Sequence, residues 1–194
     1  MNRVITIGRE FGSGGRSIAK MVGEKLGIPV YDSELLAKIA EESGFAKEYV
    51  ADCGENFSFD RLIARSLSGI GSYSQATAED HLWTMQRKVI LELAEKGSCI
   101  IVGRCADYIL RDKADCLRVF IYADMKKRAE HIVKAYGESD VSPEKRLRDK
   151  DKRRSAFYTY HTDMTWGAPH NYHICLDSGT LGMEKCAELI CSLY

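Results

Sequence analysis

Proline, tryptophan and long hydrophobic runs are scarce in this chain: its 194 residues include 3 prolines and 2 tryptophans. No segment approaches the roughly 20 consecutive apolar residues that cross a bilayer. The first residues lead into a strand-like segment rather than a secretory hydrophobic region, so we expect a cytoplasmic protein with no membrane partner. Neither sign of charge is in excess, since 28 Lys and Arg balance 28 Asp and Glu. We therefore expect no nucleic-acid partner, and any anion site must be local.

Paired metal-ligand spacing is also missing. The seven cysteines are odd in number and include no C-x-x-C pair, which argues against both a disulfide scaffold and a zinc site. We expect buried thiols in a reducing compartment. His161, His170 and His173 lie close together in the sequence, but they lack the carboxylate or cysteine spacing of a metal site. They are interpreted as loop or core histidines.

Five short apolar segments alternate with stretches of helical periodicity. The apolar segments are residues 4–7, 28–31, 98–102, 117–122 and 172–176. Helices are predicted over residues 17–26, 33–42, 77–95, 125–136 and 180–193. Strands that lack polar alternation are buried on both faces, which is typical of a parallel sheet between two helix layers. Because the chain length suits one domain, residues 1–194 are predicted to form a single doubly wound α/β domain.

Two segments fall outside this alternation. From about residue 44 to residue 76, polar residues, small residues and four glycines favour a helical insertion with loops that closes over a substrate on the acceptor side. Residues 142–154 carry seven basic and three acidic side chains, a net charge of +4. This run is predicted to be part of a basic lid, over about residues 142–161, and the alternative is a solvated helix face. The lid hypothesis predicts a segment that is mobile in the free protein and ordered over phosphates when both substrates bind.

A glycine-rich segment, GREFGSGGRS at residues 8–17, separates the first strand from the first helix. Backbone N–H groups and a helix start can converge there on a phosphate. Compared with the P-loop pattern G-x-x-x-x-G-K-[S/T], Glu10 replaces the first glycine and Arg16 replaces the lysine. Arg16 still supplies the cation, although its planar fork binds phosphate differently from an ammonium group. The predicted nucleotide cradle consists of Gly12, Ser13, Gly14, Gly15, Arg16 and Ser17.

Two other interpretations of this segment remain open. It could be a glycine-rich turn that binds nothing. It could also belong to a dinucleotide site, for which Asp32 at the end of the second strand would be the expected acid. The G-x-G-x-x-G pattern of such sites is absent, so the Arg16-Ser17 pair favours mononucleotide phosphates.

Landmarks along nearly the whole chain resemble the cytidylate kinase-like family, whose members carry an arginine in a variant P-loop. The resemblance rests on ITIGREFGSGGRSIA at residues 5–19, VYDSELL at 30–36, IVGRCADYIL at 101–110, the basic segment running into AFY at 156–158, WG at 166–167 and NY at 171–172. It implies a nucleoside monophosphate kinase fold with a five-stranded parallel sheet, a P-loop for ATP and a basic lid. It also implies transfer of the γ-phosphoryl group of ATP to CMP or dCMP.

Phosphoryl transfer needs several cations around the transferred group. Arg16 is expected to contact the β and γ phosphates. Arg104 follows an apolar strand, so it is expected at the carboxyl edge of the sheet, where it would clamp the acceptor phosphate. A structural ion pair is the alternative for Arg104. The lid candidates are Arg148, Arg153 and Arg154, and their alternative is a solvated charged helix.

The remaining candidates bind the acceptor or the metal. The pair Asp32-Ser33 resembles the family's monophosphate-side pair and is expected to orient the acceptor, although Ser33 equally suits a helix N-cap. The Ser17 hydroxyl would hold Mg²⁺ together with phosphate oxygens and water. A carboxylate that assists Mg²⁺ binding usually follows the middle strand, but Gly103 stands at that position. Asp107 is the nearest replacement and is also a candidate for binding the substrate.

Three functions are compatible with these residues. The first is an ATP-dependent kinase for a nucleoside monophosphate, with cytidine monophosphates favoured. The second is a regulatory module that binds nucleotides but has lost efficient transfer, which the changes at Glu10 and Arg16 motivate. The third is a kinase for a non-nucleotide hydroxyl acceptor, because the fold does not fix the substrate.

Overall fold

The β-branched run that begins at Val4 forms β1 (Arg3–Arg9), the central strand of a five-stranded sheet. The computed structural model describes residues 3–32, 41 and 72–194, with side chains from residue 80 onward in the last range. The predicted helix over residues 33–42, Ser33 and the insertion as far as residue 71 lie outside the described residues, apart from residue 41. The structure therefore describes the sheet, the glycine-rich segment and the basic segment in full.

The sheet is entirely parallel, with strand order β2-β3-β1-β4-β5. The other strands are β2 (Val30–Tyr31), β3 (Cys99–Val102), β4 (Asp115–Tyr122) and β5 (Ile174–Asp177). In register, Ile7 of β1 pairs with Val102 of β3 on one side and Val119 of β4 on the other. The carboxyl ends of the strands therefore meet at one edge, where doubly wound folds bind their ligands. The predicted fold class is confirmed.

Helices cover both faces of the sheet. They are α1 (Gly15–Leu26), α2 (Ser72–Lys96), α3 (Ala106–Ile109), α4 (Met125–Tyr136), α5 (Pro143–Thr162), α6 (Ser178–Leu181) and α7 (Met183–Ser192), with a short 3₁₀ helix at Pro169–Asn171. The α2 and α3 helices pack on one face of β1 through Val4, and α1 and α7 pack on the other through Ile5 and Ile7. No helix in the described ranges is both long and apolar enough to span a bilayer.

The prediction of one continuous last helix over residues 180–193 is wrong. The segment forms two helices, α6 and α7, that are separated by Gly182. This glycine has φ 81° and ψ 156°, a conformation outside the helical region that glycine adopts readily. The Asp177 side chain caps the start of α6 by accepting hydrogen bonds from the backbone N–H groups of Gly179 and Thr180. Glycine at position 182 and an aspartate N-cap at position 177 are both signals of a helix boundary that a sequence can show.

The basic segment forms most of α5, a helix of 20 residues that packs on the rest of the domain. Only Leu147, Tyr158 and Thr162 are buried among its residues. Leu147 is fully buried and packs with Ile132 and Ala129 of α4. Near the other end of α5, His161 stacks on Trp83 of α2, with ring centroids 4.2 Å apart. Apolar or aromatic contacts near both ends thus hold in place a helix in which half of the residues are charged.

The stacked imidazole makes stability depend on pH. Burial lowers the pKa of His161 to about 4, opposed by the nearby Asp80 carboxylate. Because the unfolded-state pKa is about 6.5, the neutral ring stabilises the fold fully above that pH, and this contribution is lost as pH falls from about 6.5 to about 4. We expect His161→Phe to remove about 1–2 kcal/mol of acid destabilisation, measured as a smaller decrease in Tm between pH 7 and pH 4.5. Parallel Tm curves for the two proteins would contradict this role.

Candidate active site

The glycine-rich segment forms a tight turn that leads from β1 directly into α1. Gly14 precedes the helix with φ 75°, and no side chain caps the helix start. The first N–H groups of a helix have no carbonyl partner within it, and they carry the positive end of the helix dipole. The start of α1 thus has the geometry of an anion cradle.

Hydrogen bonds made by two serine hydroxyls fix this turn against the sheet. The Ser13 hydroxyl donates to the carbonyl oxygens of Glu10, at 2.9 Å, and Ile121, at 3.2 Å. The Ser178 hydroxyl donates to the Ser13 carbonyl at 2.6 Å. Ser13 is 3% exposed, so its side chain supports the turn instead of facing solvent. Arg16 and Ser17 are exposed beside it.

Four arginines from different elements line one cleft beside the turn. Arg9 ends β1, Arg16 lies in α1, Arg104 follows β3 and Arg154 lies in α5. Burial, followed by the charge of Arg154, lowers the pKa of Arg9 to about 9, which leaves its guanidinium charged at neutral pH. Guanidinium groups this close together repel one another, and a bound polyanion offsets that repulsion. The cleft is therefore suited to phosphate groups.

Asp32 is the carboxylate that faces these arginines. Its Oδ2 lies 2.7 Å from Arg16 Nε, and its Oδ1 lies 4.0 Å from Arg9 Nη2. The predicted acceptor-side acid and the predicted P-loop cation are thus an ion pair at the end of β2. Ser33, its predicted partner, lies outside the described residues.

The turn after β3 has an unusual backbone. Gly103, Arg104 and Cys105 have φ values of 74°, 58° and 54°, three consecutive residues in the left-handed region. For residues with a Cβ this conformation costs roughly 1–2 kcal/mol each. The buried Gln86 side chain donates to the Arg104 carbonyl at 3.1 Å and supports the turn. A Cβ on residue 103 would overlap the Arg9 guanidinium, so glycine at this position leaves room for the Arg9 side chain beside the turn that carries Arg104.

Asp107 lies deeper in the same cleft and is 6% exposed. It accepts a hydrogen bond of 2.7 Å from the Tyr158 hydroxyl. Burial raises the pKa of Asp107, although the hydrogen bond from Tyr158 opposes the shift. The same burial raises the pKa of Tyr158, so the phenol remains protonated at neutral pH and donates to the carboxylate.

The structure separates the three arginines predicted for the lid. Arg154 lines the cleft and donates to the Arg9 carbonyl at 3.2 Å. Arg148 is exposed and Arg153 is half-buried, and neither is among the residues that line the cleft. Arg154 is therefore the candidate from α5 for contact with a substrate.

Sequence reasoning missed Arg9 and a group of aromatic side chains in the cleft. The aromatic residues are Phe157, Tyr158, Trp166 and Tyr172. Arg9 lies within the glycine-rich segment, but its side chain enters the cleft only because β1 lies between β3 and β4. The aromatic residues fall in three of the motifs that carry the family resemblance, AFY, WG and NY. Those motifs were the available signal.

Comparison with known proteins extends these observations. The model of the cytidylate kinase-like family matches residues 4–180. The chain belongs to this family. It is 29% identical over 192 residues to a cytidylate kinase of Archaeoglobus fulgidus, an alignment that covers 96% of this chain and 91% of the relative. A cytidylate kinase of Methanopyrus kandleri is 27% identical over 159 residues, covering 77% and 70% of the two chains.

Solved structures share the fold of this chain. An uncharacterized protein from Eubacterium ventriosum superposes with a TM-score of 0.74 at 26% identity, covering 98% of this chain and 96% of that one. Shikimate kinase from Acinetobacter baumannii superposes with a TM-score of 0.54 at 15% identity, covering 100% and 92%. The second likeness shows the fold alone. Family and fold together support a nucleotide-binding phosphotransferase.

Proposed function

We propose that the protein transfers the γ-phosphoryl group of ATP to a nucleoside monophosphate, with CMP or dCMP as the preferred acceptor. The observation that carries this proposal is the cleft at the carboxyl edge of the sheet. Arg9, Arg16, Arg104 and Arg154 line it beside the glycine-rich turn. Two anionic phosphates must approach each other there, and fixed cations reduce their repulsion.

The donor phosphates would bind at the start of α1, where backbone N–H groups point out of the turn. Arg16 would contact the β and γ phosphates, and Asp32 holds its guanidinium beside the turn through the 2.7 Å ion pair. The Ser17 hydroxyl is a hard oxygen donor of the kind that Mg²⁺ uses together with phosphate oxygens, and it would hold the ion. A bound Mg²⁺ would neutralise charge on the β and γ phosphates.

The acceptor would occupy the cleft between the β3–α3 turn and α5. Arg104 would hold its phosphate, and the supported left-handed turn fixes the backbone that carries Arg104. In the transfer, an acceptor phosphate oxygen bonds to the γ-phosphorus as the bond to the β–γ bridging oxygen breaks. Arg154 lies close enough to the glycine-rich turn to neutralise the charge that develops between the two nucleotides.

The lining of the cleft supports a nucleotide as the acceptor. Flat aromatic surfaces such as Phe157 and Trp166 suit a nucleobase better than an aliphatic alcohol. Shikimate kinases share the fold, but at 15% identity they carry no information about substrate. The two curated relatives are named cytidylate kinases, which supports cytosine over other bases.

A coupled assay of ATP consumption with a panel of acceptors tests this proposal. We expect kcat/KM for CMP or dCMP to exceed that for AMP and GMP by at least about tenfold. Arg104→Ala should raise the KM for the acceptor more than the KM for ATP. Transfer to shikimate but to no monophosphate would favour the non-nucleotide kinase. ATP binding without transfer to any acceptor would favour the regulatory module.

A further inference from the structure

Glu10 is the least expected residue of the glycine-rich turn, because an anion beside a phosphate cradle should weaken binding. The structure directs its carboxylate away from α1. Glu10 Oε2 accepts a hydrogen bond of 3.1 Å from the backbone N–H of Ala123, directly after β4. The same oxygen lies 3.4 Å from Arg128 Nε. The glutamate thus ties the turn to the end of β4 and to α4.

Arg128 is a buried cation on α4, with its side chain 6% exposed, whereas the adjacent Lys126 and Lys127 are exposed. Its Nη1 donates to the carbonyl oxygen of Phe11 at 3.2 Å and to Asp151 Oδ2 at 2.5 Å. A buried charge requires partners of this kind. Arg128 therefore joins the turn to α5.

Asp151 completes the connection from the side of α5. Its Oδ1 accepts a hydrogen bond of 2.7 Å from the Phe11 backbone N–H. Side chains from α4 and α5 thus hold both backbone polar groups of Phe11, the residue before Gly12. Three residues further along α5, Arg154 donates to the Arg9 carbonyl, and its guanidinium lies 5.5 Å from the centroid of the Phe11 ring.

We propose that Asp151 is a positioning residue that couples the phosphate-binding turn to Arg154. A displacement of the turn at Phe11 strains the bond to Asp151, and a displacement of α5 moves Arg154 out of the cleft. Binding of the donor phosphates would therefore fix α5, and with it Arg154, in the orientation used for transfer. This inference rests on the proposed function, because it assigns Arg154 to the transferred phosphoryl group.

A double-mutant cycle distinguishes positioning from general stabilisation. Asp151→Asn keeps the size of the side chain but removes its charge. We expect kcat to decrease by about 10- to 100-fold, with the KM for ATP within about threefold of the original value. Because Asp151 acts through Arg154, the double variant with Arg154→Ala should be no slower than Arg154→Ala alone. Effects that multiply instead would overturn the proposal. The matched control is Asp149→Asn, an exposed position on the same helix, which should leave kcat unchanged.

A second measurement does not require activity. With the β,γ-imido analogue of ATP and no acceptor, hydrogen exchange should slow at residues 9–13 and also at residues 151–157. In Asp151→Asn only residues 9–13 should remain protected. Continued protection of both segments in that variant would refute the coupling. A lack of protection at both segments in the unmodified protein would instead refute donor binding, and with it the proposed function. Glu10→Gln provides a second variant at the other end of the network, with the same expected loss at residues 151–157.

Discussion

Replacing Arg16 with alanine should reduce kcat/KM for phosphoryl transfer by an amount on the order of 2–4 kcal/mol in transition-state terms, or roughly 30- to 1,000-fold. The side chain lies at the start of α1, within 2.7 Å of Asp32 and at the edge of the arginine-lined cleft. A fixed cation at this position would stabilise charge on the equatorial oxygens of the γ-phosphoryl group. Initial rates with ATP and CMP provide the measurement.

Controls separate this effect from a loss of stability. The Arg16 side chain is 46% exposed, and exposed ion pairs contribute about 0–1 kcal/mol, so the Tm of Arg16→Ala should change little. Lys20→Ala removes another exposed cation one turn further along α1 and should leave the kinetics unchanged. Arg16→Lys restores the usual P-loop cation without the planar fork, and we expect an intermediate rate. Equal kinetics for Arg16→Ala and Lys20→Ala would place Arg16 outside the site.

The sheet was predictable because its strands are short, apolar and without polar alternation. Strands such as β3, with four buried residues in succession, have this pattern only when helices cover both faces. The turn between β1 and α1 was predictable for a related reason, since few residues other than glycine tolerate its backbone. These signals are local in sequence and do not depend on which elements become neighbours.

The packing of α5 was not predictable in the same way. Its apolar anchors, Leu147 and Tyr158, are eleven positions apart, and most residues between them are charged. The sequence therefore predicted a lid, with a solvated helix as the alternative. Besides these apolar contacts, a hydrogen bond from the Phe11 backbone N–H to Asp151 and an ion pair between Asp151 and the buried Arg128 of α4 hold α5 on the domain. Such contacts depend on the tertiary arrangement, and composition does not reveal them.

The burial of a single cation, Arg128, was likewise not predictable from the sequence. Arg128 follows Lys126 and Lys127 in the sequence, and a run of three cations at a helix start is normally solvated. The helical period turns only Arg128 towards the glycine-rich turn, where Glu10 and Asp151 lie. The departure of Glu10 from the P-loop pattern, which suggested impaired activity, has a structural use as a partner for Arg128.

Gly12→Ala should both destabilise the protein and abolish phosphate binding at the turn. Gly12 has φ 81°, and a Cβ there would lie 2.9 Å from Ile132 Cγ2 and 3.0 Å from the Arg128 carbonyl oxygen and from Leu147 Cδ2. Left-handed strain costs roughly 1–2 kcal/mol, and overpacking adds about 1–3 kcal/mol. The sum corresponds to a decrease in Tm of roughly 5–15 °C for a domain of this size. Thermal unfolding with and without inorganic phosphate provides the measurement.

Gly27→Ala isolates the contribution of the close contacts. Gly27 also has a left-handed backbone, with φ 66°, but no atom lies within 4 Å of a Cβ built on it. The stability of this variant should therefore decrease only by the cost of the left-handed strain. Its Tm should still increase when phosphate is added, as it does in the unmodified protein. Gly12→Ala should be destabilised by both strain and close contacts, and its Tm should no longer increase with phosphate. The reason is that the added methyl group displaces the turn from α4 and α5 and misaligns the N–H groups at the start of α1. Equal losses in the two variants, with the phosphate effect intact in both, would show that the turn does not depend on this packing to bind an anion.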